Sequence, residues 1–203
     1  GTITMLEAMR ILQLAYPHPR RTILVGHWSS EEQGLNGSSA FVQDHPPIVD
    51  SLQALFNQDN GTGRIENMSA SGFTLAAGNL ARYLSQIPAD LTRSIKFSFP
   101  GSPGGGGTDH ASFVTCGATG FGLGSGDWDY FRYTWHTNRD TYDKISWDDI
   151  RNNATLVAML AYLAAEDPER MARARRDVFQ PAPNGQPGGW PACRTPLRST
   201  PQP

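Results

Sequence analysis

The feature that most restricts the fold of this chain is its alternation of helix-like and strand-like segments. Residues 3–15 place apolar side chains at helical spacing and end before Pro17, and residues 22–28 then have the composition of a strand. The alternation continues to the last regular element, a helix that begins at Ser146 with Asp149 in the capping-box position. Further helices are predicted at 38–43 and 75–87, and further strands at 52–57, 94–99 and 118–123. This order predicts an α/β fold with a mostly parallel central sheet flanked by helices.

Two adjacent glutamates, Glu31 and Glu32, follow the first predicted strand, within the segment WSSEEQGLNGS. In open α/β sheets, ligands bind in the crevice beyond the carboxyl ends of the strands. Neighbouring side chains on an extended backbone point in different directions, so one carboxylate can bind a metal while the other acts as a base. A solvated pair at the start of a helix, favoured by the helix dipole, is the alternative interpretation of the dipeptide alone.

Two further candidate metal ligands stand in separate loops. Asp59 follows the strand predicted at 52–57 and precedes the loop-forming residues GTG. His136 lies in the polar segment YTWHTNRDTYDKI, ahead of the last predicted helix. Catalytic zinc takes His and Asp/Glu ligands and keeps one position open for water. Taken singly, Asp59 also suits a turn, and His136 also suits a partly buried, hydrogen-bonded histidine.

Four separated motifs, taken in order, resemble those of the di-zinc aminopeptidase family, which also contains the glutamate carboxypeptidases and carboxypeptidase Q. They are the Glu-Glu segment, the Asp59 loop, TDHASF at 108–113 and WHTNRDTYDKI at 135–145, and the likeness spans roughly residues 1–165. The resemblance implies a zinc exopeptidase-like three-layer sandwich. It also implies a zinc-dependent exopeptidase with two zinc ions and a peptide substrate, an aminopeptidase in preference to a carboxypeptidase.

The resemblance assigns roles to individual residues. It implies that Glu31 is the general base, that Glu32 and His136 bind one zinc ion, and that Asp59 binds the other. Asp109 and His110, in the TDH element, are expected to line the substrate pocket without being ligands.

Two ligands of the family find no match among the 203 residues: a histidine in an H-x-D motif and a bridging aspartate in D-N-x-S-G. The opening residues GTITMLEAMR resemble those that follow that aspartate. We therefore expect the N-terminal strands and both ligands to lie upstream, and this chain to be inactive alone. The other histidines, His18, His27 and His45, are expected to be structural or exposed.

Rival functions stay open at the level of sequence. Glutaminyl cyclases share the fold but use a single zinc for acyl transfer, and a non-catalytic remnant or binding module is also compatible. A glycosidase is disfavoured because its paired carboxylates flank the substrate instead of standing adjacent in sequence. A serine hydrolase finds no G-x-S-x-G motif, and the glycine-rich loop at 100–108 is neither a phosphate loop nor a dinucleotide fingerprint.

Composition limits the partners of the chain. A formal charge of −2 provides no electrostatic case for nucleic acid, and no apolar stretch reaches the roughly 18 residues of a membrane span. Because the family is largely exported, the resemblance implies a secreted or periplasmic protein.

The end of the chain differs in composition from the rest. Residues 1–166 are predicted to form the catalytic domain, and residues 167–203 a tail rich in Pro, Gly and Arg that is disordered. The two cysteines are able to pair with each other. The favoured interpretation is that Cys116 is a small buried residue and that Cys193 is free or partnered elsewhere.

Overall fold

The computed structural model describes residues 1–103, 107–176 and 188–198. Its helices and strands, in chain order, are α1 (Thr2–Ala15), α2 (Asn36–Asp44), α3 (Pro46–Ser51), β1 (Leu55–Gln58), β2 (Ile65–Ser69), α4 (Ala76–Leu84), α5 (Ala89–Thr92), β3 (Lys96–Ser98), α6 (His110–Thr115), β4 (Gly120–Ser125) and α7 (Trp147–Glu166). A π-helical turn at Tyr130–Thr134 and a 3-10 turn at Tyr142–Lys144 lie between β4 and α7.

Four strands form one sheet within the described ranges, in the order β1-β4-β2-β3. The β1–β4 and β2–β3 pairs are parallel, and β2 pairs antiparallel with β4. The predicted mostly parallel sheet is therefore confirmed. Because Leu55 lies opposite Gly120 and Gln58 opposite Leu123, β1 and β4 point their carboxyl ends to the same edge.

Strand β2 was not predicted from the sequence, and its irregular pairing explains why. Ile65 and Met68 are buried while the two residues between them are exposed, so the apolar spacing is three instead of two. The register shifts between Ile65 and Asn67, as at a β-bulge, where one extra residue breaks the alternation of a strand. A strand with such a shift lacks the period-two pattern by which strands are recognised.

The first predicted strand, residues 22–28, is wrong as a strand. These residues belong to neither a helix nor a strand in the structure. Ile23 packs against the core, whereas Leu24 is 63% exposed. An apolar extended segment becomes a strand only when another backbone pairs with it, and in the described part of the chain the sheet does not include this segment.

Helices cover both faces of the sheet. On one face, α1, α4 and α7 enclose the larger core, which includes the fully buried Tyr83, Phe73 and Phe121. On the other face, α2, α3 and α6 pack around Val42, Val49 and Phe113. The result is the expected helix–sheet–helix sandwich. No helix among the described residues is long and apolar enough to cross a membrane.

The start of α7 uses a modified cap. The Ser146 hydroxyl donates to the Asp149 carboxylate at 2.7 Å, whereas the Ser146 backbone N–H donates to the Thr62 hydroxyl at 3.1 Å. Asp149 thus reaches back towards the cap as predicted, but it contacts the side chain instead of the backbone. Thr62, in the loop before β2, accepts the Ser146 N–H in place of the Asp149 carboxylate.

A buried asparagine ties α7 to the sheet. Asn153 is fully buried, its carbonyl oxygen accepts the Ile65 N–H at 2.9 Å, and its amide donates to the Gly63 carbonyl at 2.9 Å. Both bonds satisfy backbone groups at the start of β2, where the regular ladder is shifted. A buried backbone group left without a partner costs free energy comparable to a lost hydrogen bond.

The described parts of the tail pack on the domain. Met171 is buried, the Arg176 N–H donates to the Gly72 carbonyl at 2.9 Å, and Cys193 forms a disulfide with Cys116. The favoured interpretation of two separately placed cysteines is therefore wrong. For residues 167–176 and 188–198, the expected disorder does not match the structure. Specific backbone hydrogen bonds and a disulfide hold these residues against the domain, although their sequence has no apolar run. Residues 177–187 and 199–203 lie outside the described residues, and the domain boundary at 166 stays a prediction.

Asp167 connects the end of α7 to α4. Its carboxylate accepts hydrogen bonds from the Tyr83 hydroxyl at 2.7 Å, the Arg82 guanidinium at 2.5 Å and the Glu169 backbone N–H at 3.0 Å. Burial raises the pKa of this carboxyl, but the three hydrogen bonds and the Arg82 charge outweigh it, so the net pKa lies below the ordinary value of 3.8. The ionised carboxylate therefore stabilises the folded state.

We predict that Asn153→Ala lowers the free energy of unfolding by about 3 kcal/mol, because it leaves two buried backbone groups unsatisfied. Asn152→Ala is the matched control. The Asn152 amide nitrogen is buried but has no hydrogen-bond partner in the described residues. Its removal therefore leaves no other polar group unsatisfied and costs less than about 1 kcal/mol. Urea denaturation measures both, and equal losses in the two variants would contradict the anchoring role.

A second prediction concerns pH. Because the folded-state pKa of Asp167 is lowered, its stabilisation is present above the unfolded value of 3.8 and is lost as pH falls through the folded value. We expect Asp167→Asn to cost about 2 kcal/mol at pH 7, with the difference from wild type shrinking below pH 4. The control Asp148→Asn breaks an exposed pair with Arg151 and should show no such pH dependence. Parallel denaturation curves at each pH measure this, and a constant Asp167→Asn deficit would refute it.

Candidate active site

The candidate site lies at the edge where β1 and β4 end. Asp59 directly follows β1, and the Gln58 side-chain amide donates to the Ser125 hydroxyl at the end of β4, at 2.8 Å. The N-terminus of α1 reaches the same place, with the Gly1 nitrogen 3.4 Å from the Asp59 carbonyl oxygen. The sheet thus delivers Asp59 to the edge at which α/β proteins bind ligands.

The Glu31–Glu32 pair stands in a tight loop that leads into α2. The N–H groups of Gly34 and Leu35 both donate to the Glu31 carbonyl, at 2.9 and 2.8 Å. Two non-glycine residues in this loop, Ser30 and Leu35, have left-handed φ angles of 55° and 61°. Such a conformation costs a side-chain-bearing residue roughly 1–2 kcal/mol, so the loop is shaped by its surroundings.

His136 meets Glu32 across 104 positions of sequence. The His136 Nε2 atom lies 2.8 Å from Glu32 Oε1, and the imidazole stacks on Trp135 at 4.0 Å between ring centroids. His136 also has a left-handed φ of 54°. The structure therefore brings together the two residues that the resemblance implies as ligands of one zinc ion, while the ligand role itself stays a prediction.

A cleft of about 370 Å³ opens at this point. It is lined by Glu32, Asp59, Asn60, Tyr130, Trp135, His136, Thr137 and Asp140. A second cavity of about 250 Å³ shares Tyr130 and Asp140 with the first and is more apolar. Its remaining walls are Thr62, Trp128, Asp129, Tyr133, Thr134 and Lys144. The two spaces together make a polar cleft with an adjoining aromatic recess.

The carboxylates around the cleft repel one another. Partial burial raises the pKa of Glu31, and the negative charges of Asp59, Glu32 and Asp109 raise it further, against the opposing influence of His136. Burial and the charge of Glu32 likewise raise the pKa of Asp59. Concentrated negative charge of this kind favours protons or cations in the cleft.

Asp109 and His110 stand at the start of α6, close to the other acids. Burial raises the pKa of Asp109, a hydrogen bond with Ser38 opposes this, and the Asp59 charge raises the pKa further. Burial lowers the pKa of His110 to about 4, so its imidazole is neutral at pH 7. Asp109 Oδ1 and His110 Nδ1 are buried and without hydrogen-bond partners in the described residues. Neither residue lines the two cavities above, and their predicted pocket role stays a prediction.

The donor chemistry fits part of a zinc site. A catalytic zinc takes three protein ligands, typically imidazole and carboxylate, and the Glu32–His136 pair supplies one of each kind. The orphaned Asp109 oxygen and the mutual repulsion of the acids also suit a nearby cation. Within the described residues, however, no three His, Cys, Asp or Glu side chains gather closely enough to enclose a metal ion.

Several cleft residues were not singled out by sequence reasoning. Trp135 and Asp140 stand in the recognised motif around His136, and Asn60 follows Asp59, so proximity to predicted ligands was an available signal. Tyr130 has no such signal. It lines both cavities because the π-helical turn after β4 returns it to the sheet edge, which only the tertiary structure shows.

A helix–sheet–helix sandwich whose cleft brings together an imidazole and several carboxylates offers the kinds of ligand that a metallopeptidase needs. The sequence bears this out: the model of "Peptidase family M28" matches residues 1–161, and the chain belongs to that family.

Similar proteins include leucine aminopeptidase 1 of Pyrenophora tritici-repentis, at 26% identity over 80% of this chain and 44% of that protein. Carboxypeptidase Q of Bos taurus is 25% identical over 85% of this chain and 35% of its own length. The chain therefore spans less than half the length of these curated relatives.

Solved structures show the same fold. The peptidase M28 precursor from Shewanella amazonensis matches with a TM-score of 0.69 and 22% identity, covering 86% of this chain and 38% of its own. The Legionella LapA structure matches with a TM-score of 0.61 and 21% identity, covering 81% of this chain and 46% of its own.

Proposed function

We propose that the complete protein is a zinc-dependent exopeptidase, most consistent with an aminopeptidase. The observation that carries this proposal is the 2.8 Å contact between Glu32 and His136 in a cleft that also contains Asp59. Membership of peptidase family M28 and likeness to proteins named leucine aminopeptidase support it. The two-zinc count comes from the resemblance.

Each acidic residue has a distinct proposed role. Glu32 and His136 would hold one zinc ion, and Asp59 the other. Bound zinc supplies polarisation of the peptide carbonyl and a lowered pKa of water. Glu31 takes the proton of the attacking water and donates it to the leaving amine. Its raised pKa supports this role, because a base is most effective when its pKa approaches the working pH.

The charge of the cleft supports action at a free amino terminus. Glu32, Asp59 and Asp140 line the cleft, and Glu31 interacts electrostatically with the first two. Bound zinc would offset the charges of Glu32 and Asp59, so the attraction for a substrate ammonium group would come from the carboxylates that hold no metal, Asp140 and Glu31. We therefore place the N-terminal residue of the substrate in this cleft.

We further propose that the protein works outside the cytosol, in a secreted or periplasmic setting. The Cys116–Cys193 disulfide supports this location, because disulfides persist in oxidising compartments and are rare where thiols are kept reduced. Exported relatives, implied by the resemblance, point the same way.

We predict that Glu31→Gln in the complete protein retains zinc but lowers kcat by roughly 10³-fold or more, because the amide keeps the shape of the side chain but cannot accept the proton. Glu32→Ala should instead lose zinc, since it removes a ligand. Metal analysis after dialysis and hydrolysis of an aminoacyl substrate measure the two effects. Equal zinc loss in both variants would overturn this division of roles.

We also predict that the 203-residue chain by itself binds fewer than two zinc ions tightly, because the H-x-D and D-N-x-S-G ligands find no match in it. His136→Ala should weaken the remaining zinc affinity by more than the roughly 10-fold that loss of a group supporting a ligand costs, because it removes a ligand. The exposed His18 provides the control substitution, His18→Ala, which should leave the affinity unchanged. Zinc titration measures this, and two tightly bound ions per chain would contradict it.

A further inference from the structure

Residues 188–198, which we term the strap, are fastened at one end to α6. Cys193 of the strap forms the disulfide with Cys116, the residue that follows α6. Nearby, the Trp190 indole N–H donates to the Thr115 carbonyl at 3.2 Å, and its ring packs edge-on against Phe73 at 5.2 Å between centroids. The strap is thus held by a covalent bond, a hydrogen bond and an aromatic contact.

From this anchor the strap reaches the end of the Glu31–Glu32 loop. The Leu197 backbone N–H donates to the Asn36 side-chain oxygen at 2.6 Å, and the Asn36 amide donates to the Leu197 carbonyl at 3.0 Å. The Arg194 guanidinium donates to the Gly34 carbonyl at 3.5 Å. Two strap residues therefore bind the loop within four positions of Glu32.

The loop is a segment that needs outside support. Its left-handed residues, Ser30 and Leu35, stand on either side of the glutamate pair, and strained backbone persists only where surrounding contacts over-determine it. In α2, directly after the loop, the hydroxyls of Ser38 and Ser39 contact the Ser112 hydroxyl of α6 at 2.8 and 3.0 Å. The strap supplies further contacts, at Gly34 and Asn36.

We propose that the strap is a positioning element for the active site: by bonding to Gly34 and Asn36, it holds the loop in the conformation that places Glu32 beside His136. The disulfide makes this support depend on Cys193, although neither strap nor disulfide lines the cleft. Asn36 is the central positioning residue because its side-chain nitrogen donates to Leu197 and its side-chain oxygen accepts from Leu197. The catalytic consequence rests on the function proposed above, whereas the effect on the loop does not.

Hydrogen exchange of the 203-residue chain tests the contact directly. We expect the amides of residues 34–37 to exchange about tenfold faster in Cys193→Ser and in Asn36→Ala than in wild type, because local opening loses a restraint. Amides of α7 should keep wild-type rates in both variants. Arg198→Ala, which breaks an exposed ion pair between the strap and Asp44, is the matched control and should behave as wild type.

The outcome at residues 34–37 decides the structural part. Wild-type exchange there in both Cys193→Ser and Asn36→Ala would overturn the proposal. If Cys193→Ser also exposes α7, the cross-link has a global role, and Asn36→Ala, which keeps the disulfide, becomes the deciding variant.

Kinetics of the complete, zinc-loaded protein test the catalytic part. We expect Asn36→Ala to lower kcat about tenfold while KM changes by less than about twofold, because a misplaced glutamate pair impairs the reaction more than substrate binding. A merely stabilising role would leave kcat per zinc-loaded molecule unchanged, and that result would refute positioning. Absence of peptide hydrolysis in the wild type would instead refute the proposed function, and the exchange experiment would still decide the role of the strap.

Discussion

The parallel pairing of β1 with β4 is the constraint on which the rest of this structure depends. Because both strands run in one direction, their polar ends meet at a single edge, where Asp59 follows β1 and Ser125 closes β4. The helices add to the same edge: α1 begins beside Asp59, and α6 begins with Asp109 and His110 nearby. A crevice with charged walls is the consequence of that topology.

The edge gathers groups that do not stabilise one another. Glu31, Asp59 and Asp109 each have a raised pKa, chiefly because of burial and partly because of neighbouring carboxylates, which for Asp59 means Glu32. Three residues near the Glu32–His136 contact, Ser30, Leu35 and His136, adopt left-handed backbone conformations. Unfavourable charge repulsion and backbone conformations of this kind persist at functional sites, where the surrounding scaffold is rigid enough to impose them. Here the rigidity comes from two cores, from Asn153 beneath β2 and from the cross-linked strap.

Much of the fold was predictable, and the errors have specific causes. The helices α1, α2, α4 and α7 and the strands β1, β3 and β4 follow from their periodicity and punctuation. The sequence does not predict strand β2, because a register shift interrupts the alternation of buried and exposed residues. It predicts a strand at residues 22–28 wrongly, because an apolar run does not reveal whether another strand pairs with it. The disulfide is not evident from the sequence, since two cysteines 77 positions apart carry no signal of proximity.

The sequence by itself determined the chemical inventory and the family: the glutamate pair, the aspartate loop and the histidine motif stand in an order that chance rarely produces, and the family model matches residues 1–161. Only the tertiary structure decided which of these groups touch. Glu32 meets His136 across 104 residues, and the strap reaches Asn36 across 161. Contacts at such separations depend on how strands pair and helices pack, and linear spacing does not encode them in a readable form.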